Sequence, residues 1–276
     1  MDKSIEKEIH KIYMTVFKKI FKEVQQKTKG KKILQKDLEK EILQLSKSDK
    51  YKEFAKEFSI KLAKKGIYKQ KGLWRKYYEA AKKAHYGVLP DTYSDFELGV
   101  FREATENNFK MITSIPKEVM EVFKQKFVKE LIEEVAQGKI ARGSFRRQLQ
   151  KHGVKHAQLV ARTETAKLQT VITQKRATDL GSVAYIWRAS NDKRTRPSHR
   201  QMNDVVIFWR SQEQKPLLDN MRGNAGEFPN CRCDPHPLFK KGDLKKSIYK
   251  VYDYRTDMII TMTKIDLIQA LERGEL

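Results

Sequence analysis

The sequence predicts an α+β protein, with an extended helical N-terminal region followed by a small α+β C-terminal domain. Up to Leu180, apolar residues recur every three or four positions, which is the spacing of amphipathic helices. After Gly181 the pattern changes to short runs rich in β-branched and aromatic residues, which are typical of strands. The predicted domains are a helical region over residues 1–150 and a compact domain over residues 151–276.

Glycine and proline punctuate the helical region. The first helix is predicted to end at Gly30 and the third at Gly66, because glycine readily adopts the backbone conformation found just beyond a helix end. Pro116 suits the first turn of a helix, so the sequence predicts separate helices before and after it. The predicted helices cover residues 1–28, 34–46, 50–65, 71–86, 95–113, 117–137, 144–150 and 155–180.

The C-terminal domain is predicted from shorter signals. SVAYIWRAS at 182–190 and VVIFW at 205–209 are predicted strands, and a polar turn and a short helix at 197–203 lie between them. Residues 211–230 contain two prolines and two glycines and are predicted to be irregular. A hairpin is expected within residues 245–257, and a short helix over 265–271 closes the chain.

The net charge of the chain indicates which classes of binding partner to expect. The chain carries 58 Lys and Arg against 35 Asp and Glu, a formal charge of +23. Such an excess predicts an anionic partner, most simply nucleic acid bound without sequence preference. The alternative is a well-solvated lysine-rich surface, because the basic residues are spread along the chain. No motif typical of sequence-specific DNA or RNA binding is present.

The sequence also bears on cellular location. No apolar run approaches the length of a membrane span. The first residues, MDKSIEKEIHKIYMTVF, are amphipathic and unlike a signal peptide, which predicts a cytoplasmic protein. Having two cysteines in 276 residues agrees with a reducing compartment.

Three short motifs in the C-terminal half contain most of the candidate functional residues. ARTETA at 161–166 lies on a predicted helix, and it is either an ordinary charged helix or part of a site. ASNDKRTRPSHR at 189–200 follows a strand, where Asp192 can pair with an arginine and fix the loop. The alternative for this second motif is a charged surface loop.

The third motif, NCRC at 230–233, contains both cysteines. In extended backbone alternate side chains share a side, so Cys231 and Cys233 should point together and Arg232 away. With His199 they would supply three ligands of a tetrahedral zinc site, and Asp192, Asp234 or His236 could supply a fourth. Buried free cysteines are the alternative, because structural zinc sites prefer a C-x-x-C spacing.

The three motifs in this order resemble the phage minor head proteins, also called head-morphogenesis or phage Mu F-like proteins. The resemblance covers residues 154–238, roughly a third of the chain. It differs from many relatives after His199, where Met202-Asn203-Asp204 replaces an Asn-Gly or similar turn. The motif positions of the family correspond to Arg162, Glu164, Trp187, Asp192, Arg194, Arg196, His199, Asn230, Cys231, Arg232 and Cys233.

The resemblance implies a minor capsid protein made in the bacterial host cytoplasm and built into the virion, in the head interior or at the portal vertex. Its implied role is head assembly and the packaging or ejection of DNA. The implied partners are the portal protein and capsid or scaffold proteins, with non-specific DNA as a further candidate. It also favours structural Zn²⁺ held by His199, Cys231 and Cys233.

An enzymatic function is the alternative to this non-enzymatic one. A nuclease-like protein carried in the virion could use His199 as acid or base, and the nearby arginines to stabilise phosphate charge. However, the sequence offers no second well-placed histidine and no paired carboxylates at a metal spacing. We therefore expect no catalytic residue.

Overall fold

The computed structural model describes residues 3–27, 43–44, 47–68, 71–83, 89–124, 142–239 and 243–274. The helices are α1 (Lys3–Lys27), α2 (Asp49–Tyr68), α3 (Lys71–Lys83), α4 (Tyr93–Lys124), α5 (Arg142–Asp179), α6 (Pro197–Gln201) and α7 (Lys264–Arg273). The strands are β1 (Ala184–Arg188), β2 (Val205–Phe208), β3 (Leu217–Leu218), β4 (Met221–Arg222), β5 (Asp234–Leu238), β6 (Ile248–Asp253) and β7 (Met258–Thr263). The predicted α+β class is confirmed.

The chain divides into two compact units. One contains residues 64–104 and 163–276, and the other contains residues 2–63 and 105–162. Residue 150, the predicted domain boundary, lies within α5. The assignment of 1–150 and 151–276 as separate domains stays a prediction. Among the described residues, no helix has the length and apolar character needed to cross a membrane.

Helix α4 corrects the prediction of two helices separated at Pro116. It runs without interruption from Tyr93 to Lys124, with Pro116 inside it. A proline within a helix leaves the carbonyl four residues earlier without its usual amide donor, here the carbonyl of Ile112. The Tyr51 hydroxyl donates a buried hydrogen bond of 2.6 Å to this oxygen. A side chain distant in sequence thus supplies the hydrogen-bond donor that proline cannot supply to this carbonyl.

Helix α5 is likewise continuous where the sequence predicts two helices, over 144–150 and 155–180. It extends from Arg142 to Asp179 and includes Gly153. A single glycine costs a helix only about 1 kcal/mol relative to alanine, which tertiary packing readily offsets. The predicted helix over 34–46 lies largely outside the described residues.

A five-stranded sheet forms the centre of the C-terminal region, with the order β5-β1-β2-β6-β7. Neighbouring strands are antiparallel except β2 and β6, which are parallel. Strand β5 lies in a segment that the sequence did not predict as a strand, because Pro235 and Pro237 cannot donate to a ladder. Among the described strands it pairs with β1 alone, and proline is tolerated at such an edge.

The two faces of this sheet bury different cores. The first, which we call the loop-covered face, packs against irregular chain between β4 and β5. Its core consists of Tyr185, Trp187, Met202, Val205, Ile207, Ala225, Phe228, Cys231, Cys233 and Tyr252. The opposite, helix-covered face is closed by α7. Its core consists of Ala184, Val206, Phe208, Leu238, Leu244, Tyr249, Val251, Leu267 and Ala270.

The unit that contains the sheet also contains a buried ion pair. The Arg176 guanidinium on α5 donates to both carboxylate oxygens of Glu97 on α4, at 3.0 and 2.7 Å. It also donates to the carbonyl of Ile67 at 2.7 Å and lies 5.5 Å from the centre of the Trp74 ring. A buried charge needs such partners, because an unpaired one would carry a large desolvation cost.

Candidate metal centre

His199, Cys231 and Cys233 come together on the loop-covered face. Helix α6 follows the 189–196 loop and carries His199, whose side chain is 3% exposed. The cysteines lie in extended chain immediately before β5 and are 5% and 7% exposed. Both are free thiols. Two segments thirty-two residues apart therefore meet in one buried cluster.

The geometry of the cluster agrees with the predicted alternation of side chains. The Nδ1 atom of His199 lies 3.4 Å from the sulfur of Cys231 and 3.5 Å from the sulfur of Cys233. All three ligand atoms lie within 4.8 Å of one another. Arg232 points elsewhere and donates to Asp192 at 2.6 Å. Of the described His, Cys, Asp and Glu residues, these three form the group suited to a metal ion.

The other ring nitrogen of His199 faces two charged groups. Its Nε2 lies 3.5 Å from a carboxylate oxygen of Asp219 and 3.2 Å from the Arg196 guanidinium. If Nε2 carries the proton, it can donate to Asp219, and Nδ1 then presents a lone pair to the sulfur atoms. If Nε2 is unprotonated, it accepts from Arg196, and Nδ1 carries the proton instead. The surroundings therefore permit either tautomer.

The two thiols influence each other's ionisation. The hydrogen bond with Cys233, together with the one to His199, lowers the pKa of Cys231 to about 4. The same contact raises the pKa of Cys233, because burial and a neighbouring thiolate both oppose a second negative charge. The pair thus favours one thiolate and one thiol when it holds no metal.

A set of polar contacts fixes the loops that carry the cluster. The Arg196 guanidinium donates to the carbonyl of Pro229 at 2.6 Å and to Asp219 at 3.2 Å. The Ser198 hydroxyl donates to the other oxygen of Asp219 at 2.8 Å. The contact between Arg232 and Asp192 lowers the pKa of Asp192 to about 2. In this loop Asp192 thus pairs closely with the arginine of the NCRC motif, while the Arg194 guanidinium lies 4.0 Å from it.

Other predicted site residues have different surroundings. The Arg162 guanidinium pairs with Glu6 at 3.2 Å, and the Glu164 carboxylate pairs with Lys167 at 2.8 Å. Neither Arg162 nor Glu164 therefore belongs to the cluster. Trp187 is fully buried, and its ring centre lies 5.6 Å from that of His199.

Asn230 contributes through its backbone. It adopts a positive φ of 56°, and its amide donates to the Thr163 hydroxyl at 2.8 Å. The candidates for a fourth ligand, Asp192, Asp234 and His236, do not belong to the group of three in the described structure.

Sequence reasoning missed two sets of residues. Thr163 and Thr170, two helical turns apart on α5, bind the irregular segment through Asn230 and through the carbonyl of Ala225 at 2.7 Å. Their seven-residue spacing was a signal for a polar stripe on one helix face. Asp219 was the other omission. With Asn220 it forms the two-residue turn between β3 and β4, at φ values of 52° and 61°. Short Asp and Asn turns of this kind are typical of hairpins.

The region that contains the cluster is similar to one family of known proteins. Residues 125–235 match the family model described as "Phage Mu protein F like protein". A Haemophilus influenzae protein described as "Uncharacterized protein" is 30% identical over 89 residues, or 32% of this chain and 19% of that protein. The chain thus spans about a fifth of the length of that curated relative. No solved structure matches. The predicted resemblance is confirmed: the chain contains a phage Mu F-like region.

Proposed function

We propose that this chain is a phage minor head protein that acts in head morphogenesis. The observation that carries the proposal is the Mu F-like match over residues 125–235, which includes all three motifs of the C-terminal half. The structure supports a structural role for these motifs. Arg196 binds the carbonyl of Pro229, and Arg232 binds Asp192, so these side chains join different loops of the same unit. These side chains therefore fix the conformation of the loops that form this surface.

We further propose that the protein is built into the virion next to the portal, through contacts with portal and capsid or scaffold proteins. The formal charge of +23 suits binding to acidic protein surfaces and to packaged DNA. A basic protein of this kind can contact DNA during packaging or ejection without reading its sequence, because phosphates are recognised by charge alone.

The test of this function is made on particles of the phage that encodes the chain. We expect the protein to copurify with portal-containing heads at a copy number well below that of the major capsid protein. An asymmetric reconstruction should place it beside the portal. Protein found only in the cytosol of infected cells, and absent from purified heads, would overturn the proposal.

Contact with DNA has a separate test. The purified protein should bind duplexes of unrelated sequence with similar affinity, and the affinity should fall steeply between 50 and 200 mM salt, by about 10³ if six or more phosphates are contacted. Salt-independent binding, or preference for one sequence, would exclude the proposed mode of binding.

The nuclease alternative gains no support from the described residues. An acid or base that acts on a phosphate must reach it, whereas His199 is 3% exposed and faces two sulfur atoms. We therefore keep the structural role as the proposed function.

A further inference from the structure

We propose that His199, Cys231 and Cys233 bind one Zn²⁺ ion, with Asp219 orienting the histidine. This assignment goes beyond the proposed role in the phage head, because it concerns how the Mu F-like region maintains its own structure. The nitrogen and the two sulfur atoms are the ligand types that zinc prefers. They come from two segments of the chain that are joined by short strands, one 3₁₀ turn and irregular chain.

The distances agree with tetrahedral coordination. Zinc–sulfur and zinc–nitrogen bonds of about 2.3 and 2.0 Å, at tetrahedral angles, separate the nitrogen from each sulfur by about 3.5 Å. The observed separations from His199 Nδ1 are 3.4 Å to Cys231 and 3.5 Å to Cys233. Both nitrogen–sulfur separations therefore match a shared tetrahedral ion, and all three ligand atoms lie within 4.8 Å of one another.

Hydrogen bonding alone explains this arrangement less well. A ring nitrogen offers either one lone pair or one N–H in the plane of the ring, which suits one sulfur partner. Here the same Nδ1 atom is almost equally distant from two sulfur atoms. A metal ion at the centre would satisfy all three atoms together.

Asp219 supplies the outer contact that zinc-binding histidines usually have. Such histidines donate their second N–H to a carboxylate or carbonyl, which fixes the tautomer and the ring orientation. Asp219 lies 3.5 Å from Nε2 of His199, and Ser198 and Arg196 hold its carboxylate in place. Zinc binding selects the tautomer in which Nε2 donates to Asp219 and the lone pair of Nδ1 faces the metal.

Both cysteines ligate the metal as thiolates, so Zn²⁺ binding displaces to solvent the thiol proton that the metal-free pair still carries. The three residues leave one position of the tetrahedron for a ligand from outside this group. The ion joins residues that are thirty-two positions apart in the chain, and so it stabilises the fold of the irregular segment.

The first experiment measures metal content of the full chain, purified under reducing conditions. The wild type, stripped with a chelator and titrated with Zn²⁺, should take up one ion per chain in native mass spectrometry. Cobalt substitution should give the absorption of a tetrahedral thiolate site. His199→Asn, Cys231→Ser and Cys233→Ser should lose this site, whereas His236→Asn should keep it, because His236 is an exposed residue of β5.

The outcomes are distinct even if a variant folds poorly. Wild-type protein that is folded by circular dichroism and reduced, yet takes up no zinc, would overturn the proposal. So would equal uptake by the Cys231→Ser/Cys233→Ser double variant, because the ion would then be adventitious. Neither result would bear on whether the protein occurs in phage heads, so failure of the metal site and failure of the proposed function remain distinguishable.

The second experiment tests Asp219 as a positioning residue. Asp219→Asn should weaken zinc binding about 10- to 100-fold while leaving the stoichiometry at one. The matched control is Asp257→Asn, which removes another carboxylate of the same unit, one that pairs with Arg222 at 2.8 Å. Both variants lose an ion pair, but only the first should change zinc affinity. Equal affinities in the two variants would exclude a positioning role for Asp219.

Discussion

The two faces of the central sheet are stabilised in different ways. The helix-covered face is closed by α7, which buries Leu267 and Ala270 against aliphatic and aromatic side chains. The loop-covered face is closed by irregular chain, and its core includes Cys231 and Cys233. Charged and polar side chains such as Arg196 and Arg232 fix that chain from outside.

This difference shows what a segment without regular secondary structure requires. A helix satisfies its own backbone hydrogen bonds, so it needs only an apolar stripe to pack on a sheet. Irregular chain must find partners for its backbone elsewhere. Here Thr170 donates to the carbonyl of Ala225 and Arg196 to that of Pro229. Stability on the loop-covered face therefore depends on particular residues, and on the helix-covered face it depends mainly on buried apolar volume.

The largest expected effect is from a cavity on the helix-covered face. Leu267→Ala should lower the free energy of unfolding by about 2–5 kcal/mol, because Leu267 is fully buried and its loss leaves a void. Urea unfolding of the wild type and of Leu267→Ala measures this loss of stability. Ile265→Ala is the control, since Ile265 is on the same helix but 70% exposed, and it should change stability by less than about 0.5 kcal/mol. Equal effects of the two variants would contradict apolar packing as the basis of this face.

A smaller but more specific effect is expected on the loop-covered face. Gly226 has a φ of 92°, and a Cβ atom added there would overlap the hydroxyl oxygen of Thr170. Gly226→Ala should therefore cost roughly 2–4 kcal/mol, from left-handed backbone strain and from steric overlap.

The matched control for this variant is Gly274→Ala. Gly274 has a φ of 73°, but among the described residues no side chain lies within 4 Å of the place that a Cβ atom would take. This variant therefore isolates the backbone cost of about 1 kcal/mol. The difference between the two variants in urea unfolding gives the cost of displacing Thr170. If both variants lose the same stability, the close approach of the segment to α5 does not contribute.

The fold could be predicted largely from periodicity. The amphipathic pattern of α1, the alternation in β1 and the apolar run of β2 correctly predict elements that pack into an apolar core. The errors involve Pro116 in α4 and the prolines of β5, where the rules for proline argue against a regular element. In both places a contact distant in sequence overrides the local rule: a Tyr51 hydrogen bond in one and an edge position in the other.

The members of the candidate site that could be predicted are those whose residue type alone suggests metal binding. Two cysteines and a histidine form a recognisable ligand set at any separation in sequence, as Cys231, Cys233 and His199 do. Asp219 and Thr163 were not predictable as members, because a carboxylate in a hairpin turn and a threonine on a helix are common everywhere. Their roles arise only when the fold brings them to His199 and Asn230.

A polar contact on the helix-covered face should have a modest, local effect. The Thr263 hydroxyl accepts from the amide of Asp266 at 3.2 Å and caps the N-terminus of α7. Thr263→Ala should cost about 1 kcal/mol, while Thr263→Ser, which keeps the hydroxyl, should cost less. Both values come from urea unfolding. A loss from Thr263→Ala as large as that from Leu267→Ala would mean that directional contacts dominate this face too.

The smallest effect concerns the Asp192–Arg232 pair that fixes the loop-covered face, and it depends on pH. The contact with Arg232 lowers the pKa of Asp192 from 3.8 to about 2 in the folded protein. A lowered folded-state pKa contributes stability that is present above about pH 4 and is lost as the pH falls towards 2.

The unfolding midpoints of metal-free wild type and Asp192→Asn in urea should therefore differ at pH 5 and converge towards pH 2. Arg194→Ala is the control in the same loop, because the Arg194 side chain is 74% exposed and the close pair with Arg232 is kept. It should follow the wild-type pH dependence. A constant difference between the unfolding midpoints of wild type and Asp192→Asn across this range would show that the Asp192 side chain acts through packing. The loop-covered face would then be stabilised more like the helix-covered face than its polar contacts indicate.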